Sequence, residues 1–148
     1  MKGSYVLLIE LPGDSEIQIG GLGKIKFRKG FYAYVGSALN GLEKRIERHF
    51  RAEKKFHWHI DYLLSSGEIK DVIYAETAEK KECCIAEILA KNLEVTRKFG
   101  SSDCNCIGHL FFSEDFSNLK GKVIDSFKDN GSGFGNEDVL KHSSLLDS

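Results

Sequence analysis

The spacing of apolar residues changes at about residue 37. Residues 3–11, Gly-Ser-Tyr-Val-Leu-Leu-Ile-Glu-Leu, are apolar almost throughout and are stopped by Pro12-Gly13-Asp14. A short run without alternation predicts a strand buried on both faces. Glu16-Ile17-Gln18-Ile19 and Lys24-Ile25-Lys26-Phe27-Arg28 alternate polar and apolar around Gly20-Gly21-Leu22-Gly23, which predicts a hairpin. Phe31-Tyr32-Ala33-Tyr34-Val35-Gly36 reads as an aromatic strand ending at a glycine.

The period then becomes helical. Leu42, Ile46 and Phe50 lie four apart, with Lys44, Arg45, Arg48 and Arg51 on other faces, predicting an amphipathic helix over residues 37–50. Residues 56–64 predict a short helix or an irregular aromatic segment, and residues 69–75 a strand. Residues 79–93 predict a second helix that turns Ile85, Ile88, Leu89 and Leu93 inward. A loop over residues 99–104 and a short strand at 110–112 follow. Apolar content thins after Asp115, and the glycine-rich residues 130–136 read as a flexible connection. The expected organisation is one α/β (α+β) domain over residues 1–115, with residues 116–148 a partly disordered appendage.

Composition narrows the class. In 148 residues, ten Phe, five Tyr and one Trp exclude a disordered chain and suffice for a single core. No apolar run reaches the roughly 20 residues of a membrane-spanning helix, and Met1-Lys2-Gly3 leads into a strand and not a signal peptide. Four Cys, placed as Cys83-Cys84 and Cys104-x-Cys106, are too few for a secreted disulfide scaffold, so a cytoplasmic protein is expected. The net charge of −1 hides a local excess: residues 43–59 carry six basic and three acidic side chains and three of the five His.

That basic stretch adjoins the stretch richest in candidate chemistry. A strand ends in Tyr34, Gly36 lets a ligand approach the backbone, and Ser37 leads into the helix bearing Arg45, Arg48 and His49 on one face. Guanidinium groups facing a strand-end tyrosine suit a phosphate, and a solvated basic helix face is the plain alternative. His57-x-His59 would align two rings on a strand, for a metal or a phosphate, and diverge on a helix. Trp58 could stack on a base. Cys104-x-Cys106-x-x-His109, with Cys83-Cys84, suggests zinc, but Cys-x-Cys is tighter than the common Cys-x₂₋₄-Cys zinc spacing, so buried thiols are the expectation there. Ser102-Asp103 follows a glycine turn as a polar part of the site.

Gly3-Ser4-Tyr5, Tyr34-Val35-Gly36 and Glu43-Lys44-Arg45-Ile46-Glu47-Arg48-His49 together resemble the GIY-YIG nucleases. Residues 30–38, His57-Trp58-His59-Ile60-Asp61-Tyr62-Leu63 and residues 99–111 resemble its largely archaeal DUF123 branch more closely. The resemblance implies a central three-stranded antiparallel sheet flanked by helices, and phosphodiester hydrolysis with Mg²⁺ or a similar divalent ion. By position it implies that Tyr5 and Tyr34 help remove a proton from water, that Arg45 stabilises phosphoryl charge and that His49 transfers a proton or contacts phosphate. It also implies a metal-holding Glu on the later helix. Helical spacing favours Glu82, which lines up with Ile85, Ala86 and Leu89, over Glu87, which faces Lys91 as a surface pair. Tyr5 and Tyr34 are 29 residues apart, against about ten between the tripeptides in the family, and the hairpin at residues 17–25 fits that extra length.

The expected function is a metal-dependent endonuclease acting on DNA ahead of RNA, with structured or damaged DNA among its substrates. Gly36, Ser37, Lys44, Arg48, Arg51, His57 and His59 would contact the nucleic acid, no membrane would be engaged, and a DNA-repair protein would be a further partner. Two rivals are a non-catalytic nucleic-acid-binding module with the same fold and a protein-interaction domain using residues 57–62.

Overall fold

The computed structural model describes residues 2–77, 81–101, 104–129 and 135–138. In chain order the elements are β1 (Gly3–Leu11), β2 (Ser15–Gln18), β3 (Lys24–Phe27), β4 (Gly30–Ala38), α1 (Leu42–Phe50), α2 (His59–Leu64), β5 (Glu68–Glu76), α3 (Glu82–Ala90), β6 (Glu94–Thr96), β7 (Leu110–Ser113), α4 (Phe116–Asp129) and β8 (Gly135–Asp138). The result is a mixed α+β fold. Its main sheet has six strands in the order β6-β7-β4-β1-β5-β8, and every adjacent pair is antiparallel.

Three nine-residue strands, β4, β1 and β5, form the middle of that sheet. The expectation of a three-stranded sheet is corrected to six, because β7 and β6 extend one edge and β8 the other. β7 falls on the short strand expected at 110–112, whereas β6 holds one apolar residue and β8 none, so no alternation announces them. The expected hairpin is present as a separate two-stranded sheet of β2 and β3.

β1 is buried on both faces, as its unbroken apolar run requires. The alternation of side chains divides it between two cores. Tyr5, Leu7, Ile9 and Leu11 join Leu42 and Ile46 of α1, Ile60 and Leu63 of α2, and Ile19 and Phe27 of the hairpin region. Val6 and Leu8 join Ile85, Ala86 and Leu89 of α3 and Leu119, Val123 and Phe127 of α4. The sheet is therefore the middle layer of three.

The boundary expected at residue 115 does not hold. Residues 116–129 form α4, whose Leu119, Val123 and Phe127 are fully buried against the second face. They recur at four-residue spacing among Lys120, Lys122, Asp125 and Lys128, an amphipathic stripe diluted by charge. Lys120 also donates to Asp71 of β5 at 2.6 Å. The expected flexible connection and the rest of the tail lie outside the described residues apart from β8.

The remaining differences are local. β4 runs two residues past Gly36 to Ala38, so α1 starts at Leu42 and not at residue 37. Gly41, with φ of 66°, turns the chain between them. Residues 56–64 resolve into an extended approach and the six-residue α2. Among the described residues no helix is long and apolar enough to cross a membrane.

Candidate functional site

The β1–β4 register sets the centre of the site. Tyr5 pairs with Gly36 and Leu7 with Tyr34, which places the two tyrosines diagonally on the face covered by α1 and α2. Gly36 makes room for the Tyr5 ring: a Cβ there would lie 2.5 Å from Tyr5 Cζ. Both tyrosines line a cavity of about 660 Å³ that is also lined by Gly36, Ser37, Arg45, His57, Trp58, His59, Glu82, Cys83, Cys104 and His109.

Arg45 crosses one wall of this cavity. Its Nη1 donates to Ser37 O at 3.2 Å, and its guanidinium lies 4.5 Å from the Trp58 ring centre. Arg48 lies 4.4 Å from the same ring, so Trp58 is stacked by two cations. Arg48 is also engaged within the fold. It donates to both oxygens of the buried Asp61, at 2.9 and 3.1 Å, and to Lys55 O at 3.0 Å. Asp61 accepts in addition from the backbone N–H groups of His57 and Trp58. Burial alone would raise the Asp61 carboxyl, but Arg48 and these N–H groups hold it below the ordinary carboxylate range.

His49 lies behind the cavity and not in its lining. The helical period puts it seven residues after Leu42 and three after Ile46, on the inward stripe of α1, where it is 2% exposed. Its Nε2 is 2.6 Å from the Tyr5 hydroxyl. Burial pushes its pKa down to about 3, so the imidazole is neutral at ordinary pH. His49 thus stands against the Tyr5 hydroxyl and outside the lining of this cavity, not at the phosphate-facing position expected of it. Burial, followed by the neighbouring Tyr34, raises the Tyr5 phenol well above 10, and Arg45 opposes that shift. Burial and the Glu82 charge raise Tyr34 as well.

His57 and His59 both reach the cavity, although α2 begins at His59. His59 Nδ1 accepts from Gly100 N–H at 2.9 Å, which fixes the ring against the loop before β7. Lys44 and Arg51 are exposed and lie outside the cavity in shallower neighbouring grooves. Lys54 caps α1, donating to His49 O and Arg51 O, each at 2.9 Å. The basic stretch is thus divided between groups that hold the fold and groups that face outward.

Glu82, the first residue of α3, lines the cavity with a side chain 15% exposed, whereas Glu87 is exposed outside it. Beside Glu82 stands a group for which the tight Cys-x-Cys spacing favours buried thiols over a metal. The ligand atoms of Cys83, Cys104, Cys106 and His109 all lie within 4.8 Å of one another, a cluster that could hold a metal ion. The sequence offers all four ligands in Cys104-x-Cys106-x-x-His109 and Cys83-Cys84, and Cys83 comes from a different element, α3. Ser102 and Asp103 lie outside the described residues.

Of the expected site residues, the fold gathers Tyr5, Tyr34, Gly36, Ser37, Arg45, His57, His59 and Glu82 in one cavity. It sets His49 behind it and places Lys44, Arg48 and Arg51 beside it. No curated protein and no solved structure matches the chain. The family model described as Domain of unknown function DUF123 matches residues 4–146, and the chain belongs to that family.

Proposed function

We propose that the cavity binds a nucleic-acid phosphodiester, DNA ahead of RNA, and hydrolyses it as GIY-YIG nucleases do. The observation that carries this reading is the convergence of Tyr5, Tyr34, Arg45 and Glu82 on one cavity from four separate elements. A cationic group, two phenols and a carboxylate at one place match the needs of phosphoryl transfer better than those of simple packing.

Among the described residues, Glu82 is the one carboxylate lining the cavity. Mg²⁺ is commonly held by one or two carboxylates, with waters and substrate phosphate oxygens completing its shell, so the donor set fits. A divalent ion bound there would supply charge stabilisation at the phosphate and a more acidic water.

The chain's own groups then divide the work. Arg45, steadied on Trp58 and Ser37 O, presents its charge to the phosphate. Tyr5 is oriented by neutral His49, whose Nδ1 has no partner among the described residues. An orphaned buried N–H is rarer than an orphaned acceptor, which favours the tautomer with the proton on Nε2. The imidazole then donates to Tyr5 Oη and stabilises the phenolate, the form of Tyr5 that can accept a proton from the attacking water. With both phenols raised by burial, rates should climb into the alkaline range.

The test is cleavage of a panel of duplex, branched and single-stranded DNA and RNA with a Mg²⁺ titration. Wild type should cut; Arg45→Ala should lose about 10²–10³-fold in rate, and Glu82→Ala should lose metal-dependent cleavage while still binding. Salt-sensitive binding by all three proteins, with cleavage by none, would replace the nuclease reading with that of a binding module.

A further inference from the structure

We infer that Cys83, Cys104, Cys106 and His109 form a closed structural zinc site that clamps the start of α3 to the loop leading into β7. The inference goes beyond the proposed hydrolysis and does not depend on what the cavity binds.

Three features of the cluster point to zinc. The first is geometry. A tetrahedral zinc with ordinary bond lengths separates a thiolate sulfur from an imidazole nitrogen by about 3.6 Å. Cys104 Sγ lies 3.5 Å from His109 Nε2. All four ligand atoms lie within 4.8 Å of one another, so a small contraction completes the shell.

The second is the orientation of His109. The residue is 2% exposed, and its Nδ1 lies 3.2 Å from Val35 O. A carbonyl can only accept, so the Nδ1 proton is donated to it and the Nε2 lone pair is left facing Cys104. Zinc-binding histidines are held in this way, by an outer partner on the second nitrogen. Glu82 Oε2, 3.9 Å from the same Nδ1, reinforces that tautomer.

The third is the donor set. Three thiols and one imidazole select a soft or borderline ion, and a site with four protein ligands leaves no position open for a substrate. Mg²⁺ prefers oxygen donors, so this site and the Glu82 carboxylate would take different ions. The four cysteines are free, and Cys84, exposed on the same helix, lies outside the cluster.

The consequence is mechanical. Cys83 belongs to the first turn of α3, next to Glu82, and the other three ligands lie on the chain between Ser101 and β7. Cys83, Cys104 and His109 also line the cavity. A metal at this point would fix both the cavity wall and the carboxylate beside it, without entering the reaction.

The test uses the full chain, purified under reducing conditions without chelator, incubated with equimolar zinc and passed through a desalting column. One zinc per chain is expected. Replacement by Co²⁺ should give the intense visible bands of a tetrahedral site and thiolate-to-cobalt charge transfer. Cys106→Ser and His109→Ala should lose the metal, while Cys84→Ser should keep it. Folded wild-type protein that retains no zinc, or a cobalt spectrum without tetrahedral intensity and charge transfer, would overturn the site. So would loss of zinc in Cys84→Ser equal to that in Cys106→Ser. Because the wild-type measurements need no variant, misfolding of a substituted chain cannot shield the inference.

Discussion

Gly36 faces Tyr5 across the β1–β4 ladder, and a Cβ there would lie 2.5 Å from Tyr5 Cζ and 2.6 Å from its hydroxyl oxygen. The ring is also held at its hydroxyl by His49 Nε2, 2.6 Å away, so it has little room to withdraw. Gly36→Ala should therefore destabilise the protein by about 1–3 kcal/mol and displace Tyr5 from His49. Gly21→Ala is the control, since nothing lies within 4 Å of a Cβ at that position. Denaturant midpoints of the two variants should separate clearly, and equal midpoints would refute the steric role given to Gly36. A glycine at a strand end was visible in the sequence. That it makes room for a tyrosine 31 positions earlier depends on register, which local patterning does not specify.

Among the elements, α4 shows most clearly how charge can mask a core helix. Its buried Leu119, Val123 and Phe127 meet Val6, Leu8, Val35, Ile73 and Phe111 in the second core. Ending the chain after residue 115 would expose that face, so the shortened protein is expected not to fold, as read by circular dichroism and Trp58 fluorescence. The milder change Phe127→Ala should cost about 3–5 kcal/mol in a denaturation experiment. A stable fragment ending at residue 115 would show that α4 is dispensable. The same masking applies in reverse to α1, where an apparently basic helix gives its buried stripe to Leu42, Ile46 and His49.

Across the whole molecule, acid should weaken the fold first through its buried imidazoles. His49 has a pKa of about 3 when folded and about 6.5 when unfolded, because burial disfavours its charged form. Between those values the unfolded chain binds a proton that the folded chain does not. Its contribution is therefore complete above about pH 6.5 and declines as pH falls toward about 3, by up to about 1.4 kcal/mol per pH unit. His59, also lowered by burial, acts in the same direction. Asp61, held low by Arg48 and backbone N–H groups against the effect of burial, adds a further loss once the carboxylate range is reached. Urea midpoints measured from about pH 8 down to about 4 should fall for wild type and fall less steeply for His49→Gln. Parallel curves for the two proteins would mean that His49 is already accessible to protons in the fold.

The sequence by itself determined the local elements whose apolar run or alternation is clear: β1, β4, the β2–β3 hairpin, α1 and the core face of α3. It also marked the residue types of the cavity, since Tyr34, Gly36, Arg45 and Glu82 each stand out against their neighbours. The edge strands β6 and β8 were illegible, because Gly135-Asn136-Glu137-Asp138 holds no apolar residue and Glu94-Val95-Thr96 only one. Tertiary structure alone decided which marked residues meet. It put His49 behind Tyr5, tied Arg48 to Asp61 and brought Cys83 to Cys104, Cys106 and His109. The physical reason is that side-chain direction follows from local period, whereas proximity follows from strand register and from how helices cover the sheet.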